Sequence, residues 1–230
     1  MTTASQYQKV RSSVDEVCAN EGRNPEDVLL LAVSKTVDVD AVEEAISAGA
    51  QAFGENRPDE LLRKKAVFPD QHWHFIGNIQ SRRIKDIVSA ADLIHSVCKI
   101  EHLSKIDAAA KAQGKRQPIL LEVNVSGEES KSGFSPDQMP QVVRSVMALD
   151  NIELRGLMTM APRSDADAVE QTFSGLAALR DSLQAFIDEN GWEATLSELS
   201  MGMSEDWPRA VHYGSTIVRV GRAIFDPAFE

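Results

Sequence analysis

The sequence predicts an α/β fold, a single (β/α)8 barrel, and three observations support this prediction. Short apolar runs alternate with segments of helical periodicity along the chain. None of these runs is joined to the next by a two-residue hairpin turn, so parallel strands with crossover helices are expected. The length of 230 residues lies between the ~200 residues near the lower limit of such barrels and the ~250 that are typical.

The first predicted element is a helix, because Tyr7, Val10, Val14 and Val17 recur at three- and four-residue spacing before Asn24-Pro25. Strands are predicted at 28–34, 51–54, 74–77, 93–97, 119–125, 154–160, 196–201 and 216–220. Helices are predicted between them at 39–48, 58–66, 81–90, 100–113, 136–149, 166–190 and 206–213.

A doubly wound open sheet is the alternative architecture. Such a sheet binds a nucleotide through a glycine-rich turn after its first strand. Here that turn reads Ser34-Lys35-Thr36 and contains no glycine. The barrel is therefore favoured, and with no linker or composition shift in view, residues 1–230 are expected to form one domain.

Charge and composition exclude several classes of protein. There are 24 Lys+Arg against 35 Asp+Glu, a net charge of −11, which disfavours nucleic-acid binding. Cys18 and Cys98 do not make a disulfide framework, so a reducing cytoplasmic location is expected. The polar N-terminus lacks a signal peptide, and the longest apolar run, 28–33, is far too short to span a bilayer.

Lys35 is the first candidate for chemistry. It has the same strand parity as Leu31 and Val33, so an inward-facing parity would point its amine into the barrel mouth. Active sites of this fold lie at the carboxyl ends of the strands. A desolvated lysine there is a nucleophile able to form an imine with an aldehyde. A solvated lysine at a strand exit is the alternative and, from position alone, the commoner case.

Two segments near the end of the chain predict a phosphate site. Ser200–Ser204, which includes Gly202, follows the seventh predicted strand, and Gly221-Arg222 follows the eighth. The corresponding loops of these barrels often bind phosphate through backbone N–H groups. Small residues permit close approach of the backbone. An equal alternative is that Gly202 and Gly221 are ordinary turn glycines.

Arg219 interrupts an apolar strand, Ile217-Val218-Arg219-Val220. A charge in such a strand is costly unless it is paired or reaches solvent. Arg219 is therefore expected either to pair with a carboxylate, for which Glu122 is the candidate, or to hydrogen-bond a ligand. The residues alone leave both alternatives open.

Other motifs carry weaker signals. His72 and His74 share a face, but no histidine lies on the later strands, so a metal site is not expected. His74 is expected to be a hydrogen-bonding barrel residue and His72 a surface residue. The cluster Arg82, Arg83 and Lys85 is either a solvated face or an anion or partner site. The segment 127–133 lacks the order of a nucleotide-binding phosphate loop.

The combination of a first-strand lysine, a late phosphate-type loop and a strand arginine suggests pyridoxal phosphate on a barrel. The chain resembles the pyridoxal phosphate homeostasis protein family, whose barrel is like the N-terminal domain of alanine racemase. The matching stretches are LLAVSKT at 30–36, FGEN at 53–56, WHFIGNIQ at 73–80, VNVSGEESKSGF at 123–134, RGLMTMAP at 155–162, LSMGMSEDW at 199–207 and GSTIVRVGRAIF at 214–225. They run in the family's order along nearly the whole chain.

The resemblance implies a type III pyridoxal phosphate fold in which Lys35 forms the imine and Arg219 faces the pyridine nitrogen. It also implies that Ser200, Gly202 and the backbone of Gly221-Arg222 hold the phosphate, with Asn56 near the cofactor. The chain departs from the family where Arg57 replaces a common tyrosine and Arg222 a common threonine, so a hydroxyl contact to phosphate is in doubt. Phe225-Asp226 also replaces a frequent Phe-Gly.

The implied activity is binding rather than catalysis. The resemblance implies a role in intracellular pyridoxal phosphate, or vitamin B6, balance, in which the cofactor is held on lysine without substantial turnover. A weak amino-acid racemase is the alternative, although the sequence lacks the additional β-domain that supplies a second base in alanine racemases. A monomer is expected, and recipient apo-enzymes are not identified by the sequence.

Overall fold

A closed barrel of eight parallel strands forms the centre of the molecule. A computed structural model of the protein describes residues 2–128, 131–162 and 165–229. The strands are β1 (Leu29–Val33), β2 (Ala52–Glu55), β3 (His72–Phe75), β4 (Leu93–Val97), β5 (Gln117–Glu122), β6 (Ile152–Met158), β7 (Glu198–Met203) and β8 (Ile217–Val220). β1 pairs with β8, from Leu29–Ile217 to Ala32–Val220, and this pairing closes the barrel. The predicted barrel is confirmed, and the open sheet is excluded.

The helices form the outer layer. They are α1 (Thr3–Asn20), α2 (Val39–Ser47), α3 (Pro58–Val67), α4 (Ile84–Ala90), α5 (Ile100–Ala112), α6 (Met139–Met147), α7 (Ala166–Glu189), α8 (Trp207–His212) and α9 (Arg222–Phe225). Single 3₁₀ turns precede β1, α4 and α6 at Pro25–Asp27, Ser81–Arg83 and Pro136–Gln138. No helix in these ranges is long and apolar enough to cross a membrane.

Several predicted strand boundaries were wrong by about two residues. β3, β5 and β6 begin two residues earlier than predicted, and β7 begins two residues later. The apolar run locates a strand, but the hydrogen-bond ladder fixes its ends. For example, the polar residue Gln117 is fully buried and pairs with Ile152 at the start of β5. Of the segment 127–133, residues 129 and 130 lie outside the described residues, while Val123 and Phe134 form a bridge at its base.

Strand parity separates two cores. The inner core fills the barrel with Leu31, Ala52, Leu93, Leu120, Met158 and Ile217. The larger outer core lies between strands and helices and includes Phe53 stacked on Trp73, with ring centroids 5.2 Å apart. Leu31 and Ile217 face inward, so Lys35 and Arg219, which share their parities, belong to the inner side as predicted.

Candidate functional site

A cavity of about 500 Å³ opens at the carboxyl ends of the strands. Its walls come from the ends of β1, β2, β3, β6, β7 and β8 and the residues that follow them. This is the face on which barrels of this kind carry their active sites. Lys35, Asn56, Arg219, Gly221 and Arg222 line the cavity. The remaining predicted site residues, Ser200 and Gly202, are buried and do not line the cavity.

Lys35 stands at the rim of this cavity. It follows β1 by two residues, and its side chain is exposed toward the open space, whereas Val33 below it is buried. The backbone around it is fixed from behind, because Lys64 Nζ donates to the carbonyl oxygens of Ser34 and Val37, each at 2.8 Å. The amine is therefore presented to the cavity from an anchored turn.

Arg219 lies at the bottom of the cavity and is only 5% exposed. Its Nη1 donates to Ser200 Oγ at 2.7 Å and its Nη2 to the carbonyl oxygen of Thr159 at 3.0 Å. Burial lowers the pKa of Arg219 to about 10, although the charges of Asp206 and Glu122 oppose this shift. Arg219 is therefore still protonated at neutral pH.

Glu122 does not pair directly with Arg219. None of the ion pairs among the described residues joins these two side chains, and two N–H groups of Arg219 donate to Ser200 and Thr159 instead. Burial raises the pKa of Glu122, while the positive charge of Arg219 acts in the opposite direction. Of the two alternatives left by the sequence, the structure favours an arginine aimed at the cavity.

A chain of buried polar side chains continues downward from Arg219 and is here called the polar chain. It consists of Arg219, Ser200, His95 and His74. His95 Nδ1 lies 2.9 Å from Ser200 Oγ, and His95 Nε2 lies 2.9 Å from His74 Nδ1. The prediction that His74 is a hydrogen-bonding barrel residue is confirmed, and His72 is exposed as expected.

Arg219 only donates, so Ser200 Oγ accepts from it. The tautomer of His95 sets the direction of the other two hydrogen bonds: with the hydrogen on Nε2, His95 accepts from Ser200 and donates to His74, and with the hydrogen on Nδ1 both bonds are reversed. Burial lowers the pKa of His74 to about 4 and holds that of His95 well below its usual value. Both rings are therefore neutral.

The loops after β7 and β8 form the wall opposite the β2 and β3 ends. Gly202 has φ +91°, and a Cβ there would come within 2.8 Å of the Trp207 backbone, so glycine permits α8 to pack on the strand end. Asp206 Oδ1 accepts a 2.5 Å hydrogen bond from the Met203 amide, which fixes the turn between them. Ser204 and Arg209 from this segment line the cavity.

Arg222 connects the two loops. It follows β8 at the start of α9, and its Nη2 donates to Glu205 Oε1 at 2.6 Å, across from the β7 loop. Its guanidinium also stacks over Phe229, 5.1 Å from the ring centroid. The arginine that replaces the family's common threonine therefore forms an ion pair at the cavity rim.

The position of the Asn56 backbone depends on the absence of a side chain at Gly77. The backbone of Asn56 passes so close to position 77 that a Cβ there would lie 2.1 Å from the Asn56 carbonyl oxygen. Only glycine fits this approach. The close contact brings the exits of β2 and β3 together and places both Asn56 and Asn78 in the cavity wall.

The sequence analysis missed a buried cluster on the outer side of the barrel wall, here called the outer cluster: Ser34, Glu55 and Lys64. All three are completely buried. Glu55 Oε1 accepts from Lys64 Nζ at 2.5 Å and from Ser34 Oγ at 2.6 Å. The spacing of Lys64 three residues after buried Leu61 was the available signal, because it puts the lysine on the apolar face of α3.

Metal ligation finds no support in the parts of the chain that the structure describes. No group of three or more His, Cys, Asp or Glu side chains is gathered there. Cys18 is buried and Cys98 half-buried, and both are unpaired.

Comparison with known proteins agrees with this geometry. The family model described as "Alanine racemase, N-terminal domain" matches residues 18–227. The pyridoxal phosphate homeostasis protein of Pseudomonas aeruginosa is 40% identical over 97% of this chain and 95% of its own. That of Aquifex aeolicus is 34% identical over 98% of both chains. The chain belongs to the pyridoxal phosphate homeostasis protein family. The resemblance found in the sequence is confirmed.

Solved structures of other proteins are similar to this barrel. PipY of Synechococcus elongatus, described with pyridoxal phosphate bound, matches with a TM-score of 0.79 and 32% identity over 92% of this chain and 99% of that chain. An alanine racemase of Clostridium difficile matches with a TM-score of 0.74 over 97% of this chain and 58% of that chain. At 16% identity the racemase shows a shared fold alone.

Proposed function

We propose that this protein binds pyridoxal 5′-phosphate through Lys35 and acts in intracellular pyridoxal phosphate homeostasis. The observation that supports this most is the meeting of Lys35, at the rim, and Arg219, at the bottom, in one cavity of about 500 Å³. A primary amine, a buried guanidinium and the arginines of the outer wall, Arg209 and Arg222, fit an aldehyde, a ring nitrogen and a phosphate. Relatives named as pyridoxal phosphate homeostasis proteins cover nearly the whole chain.

The proposed roles follow the positions of the side chains. Lys35 would condense with the aldehyde carbon with release of water, Arg219 would donate toward the ring nitrogen, and Asn56 would contact the cofactor from the β2 side. Gly221 and Arg222 hold the phosphate with the first amides of α9 and the guanidinium. Ser200 positions Arg219 through its hydrogen bond, and Gly202 leaves room for α8 to pack on the end of β7.

The phosphate role has a direct test. Charge-assisted hydrogen bonds to phosphate contribute roughly 1.5–3 kcal/mol each, or about ten-fold or more in affinity per contact. Pyridoxal phosphate is therefore expected to bind much more tightly than pyridoxal in a fluorescence titration. Equal affinities for the two aldehydes would exclude a phosphate site at the β7 and β8 loops.

We propose that the protein is not a catalyst. Bound pyridoxal phosphate supplies an aldehyde that captures amines and, when its ring nitrogen is protonated, an electron sink for carbanions. Arg219 remains protonated at neutral pH and only donates, so it favours an unprotonated ring nitrogen. This arrangement gives little stabilisation to a carbanion.

A second base for racemisation would have to come from carboxylates, since the described residues of the cavity wall include no tyrosine, cysteine or histidine. The acids in the wall are Asp165, Glu205 and Asp206. Asp165 caps α7, Glu205 pairs with Arg222, and Asp206 accepts from the Met203 amide. Each already has a structural role, which disfavours the alternative of a weak racemase.

Borohydride reduction tests the proposal. Reduction of the loaded protein is expected to fix a pyridoxyl group on the peptide that contains Lys35, and Lys35→Ala is expected to remove the main imine absorbance band. Lys131→Ala, a matched control outside the cavity, should retain the band. Chief labelling of another lysine would refute the assignment. Loss of α-protons from alanine or serine into deuterated water at ordinary enzyme rates, ~1–10³ per second, would establish an enzyme instead.

We further propose that the whole chain acts as one monomeric cofactor-binding unit in a reducing, cytoplasmic environment. The unpaired state of Cys18 and Cys98 supports this environment. Gel filtration of the loaded protein measures the oligomeric state.

A further inference from the structure

A second, smaller cavity of about 260 Å³ adjoins the main one and is here called the annex. Its wall includes Asn56, Arg57, Asn78, Gln80, Arg82 and Arg83. Asn56 and Asn78 also line the main cavity, so the two spaces share a wall. The annex takes in two of the three basic residues clustered at 82–85, whose role the sequence left open.

The arginines of the annex are not equally neutralised. Arg83 is held by Asp59 and Asp86, with its Nε 2.7 Å from Asp86 Oδ2. Arg82 donates only to an uncharged acceptor among the described residues, the side-chain oxygen of Gln80 at 3.3 Å.

Arg57 is also incompletely neutralised. It lies 3.6 Å from Glu60 Oε1, and 65% of its side chain is exposed. Glu60 is itself bound more closely by Arg63, at 2.7 Å. The annex therefore carries a local excess of positive charge in a chain whose net charge is −11.

The position of the annex matters for the cofactor site. The proposed phosphate loops follow β7 and β8, on one side of β1, whereas the annex follows β2 and β3, on the other side. Lys35 extends from the end of β1, between the two. An anion in the annex would thus lie on the other side of Lys35 from the proposed phosphate loops.

We propose that the annex binds a free α-amino acid, with Arg57 and Arg82 holding its carboxylate; the cofactor-related part of this inference depends on the proposed function. Guanidinium groups match a carboxylate with two parallel hydrogen bonds. The annex also offers acceptors to an ammonium group, namely the side-chain oxygens of Asn56 and Asn78. Such a mixed set of donors and acceptors fits a zwitterion better than it fits phosphate, which only accepts at most of its oxygens.

The test uses the cofactor-free protein, so that it is independent of the proposed function. Nitrogen-15 NMR follows the arginine Nε–H signals while L-alanine is titrated in. Saturable shifts of the Arg57 and Arg82 signals are expected. The double variant Arg57→Gln/Arg82→Gln should bind at least about ten-fold more weakly, because charge-assisted hydrogen bonds are lost. Lys85→Gln, from the same basic cluster but outside the annex, should bind as the unchanged protein does.

Other outcomes would overturn the proposal. Absent or unsaturable shifts, or equal binding by the double variant, would show that the annex is no amino-acid site. Tighter binding of inorganic phosphate than of L-alanine would assign it to phosphate instead, and equal binding of ethylamine would remove the role of the carboxylate. Pyridoxal phosphate binding, measured separately by absorbance, is expected to survive in the double variant. If the unchanged protein does not bind pyridoxal phosphate, the proposed function is refuted, whereas the amino-acid site in the annex is not.

Discussion

Polar side chains are buried on both sides of the barrel wall, but the two sets of hydrogen bonds end on different groups. On the inner side, the polar chain runs from His74 up to Arg219 and ends at the cavity. On the outer side, the outer cluster ends on the backbone carbonyls that flank Lys35. The polar chain therefore presents the guanidinium of Arg219 to the cavity, whereas the outer cluster fixes the main chain on either side of Lys35, the proposed nucleophile. The alternation of side chains continues past the end of β1, so that Ser34 joins the outer cluster and its neighbour Lys35 lines the cavity.

The largest effect is expected on the outer side. Lys64→Met leaves the buried carboxylate of Glu55 without its cation, and breaking a buried ion pair in this way costs about 3–5 kcal/mol of unfolding free energy. Urea denaturation measures this loss. Lys65→Met is the matched control on the same helix, because the ion pair of Lys65 with Asp92 is partly exposed and contributes about 1 kcal/mol or less.

The double variant Glu55→Gln/Lys64→Met sharpens this prediction. It removes both charges, so it should recover part of the stability that Lys64→Met loses. Equal costs for Lys64→Met and Lys65→Met would mean that the outer cluster does not anchor the turn.

On the inner side, the expected effect depends on pH. His74 has a folded-state pKa of about 4 against an unfolded value of 6.5, so the unfolded chain binds more protons between these values. The contribution of His74 to stability is therefore constant above pH 6.5 and falls as the pH drops toward 4, by about 3 kcal/mol. His95, whose pKa is also lowered by burial, acts in the same direction. Unfolding curves across this range test it, and His74→Gln should reduce the slope. A slope unchanged in His74→Gln would place the acid sensitivity elsewhere.

A smaller effect is expected where the polar chain meets the cavity. Arg219→Ala removes the donor that is proposed to face the ring nitrogen, and loss of a charge-assisted hydrogen bond is expected to weaken pyridoxal phosphate binding by roughly ten-fold or more. Absorbance titration measures the affinity, with Arg180→Ala, on α7 and outside the cavity wall, as control. Undisturbed binding would make Arg219 a purely structural residue.

The smallest effect on cofactor affinity is expected at Ser200. Ser200→Ala leaves Arg219 and His95 each without one partner, at a cost of about 1–3 kcal/mol in stability. Its effect on cofactor affinity should be smaller than that of Arg219→Ala, because Ser200 acts through the arginine. Ser89→Ala, which removes an exposed hydroxyl, is the control. A larger loss of affinity in Ser200→Ala would indicate that Ser200 contacts the phosphate itself.

These contrasts also explain what sequence could predict. Periodicity and parity identified the barrel and the inward direction of Lys35 and Arg219, because both depend only on local alternation. The partners of Arg219 were missed because Ser200 and Thr159 lie 19 and 60 residues away and meet it only through strand register. The role of His95 was missed for the same reason. Lys64 was overlooked because a buried lysine is rare, although its spacing from Leu61 indicated the core face.

The closed barrel has a consequence for any protein that would receive the cofactor. β1 pairs with β8, so every strand of the barrel is flanked by two others and the sheet offers no open edge. Many protein contacts form by adding a strand to such an edge, and a closed barrel does not allow this. A recipient enzyme would therefore have to dock on helices or loops. The loops that surround Lys35 are the surface through which a direct handover of pyridoxal phosphate would have to pass.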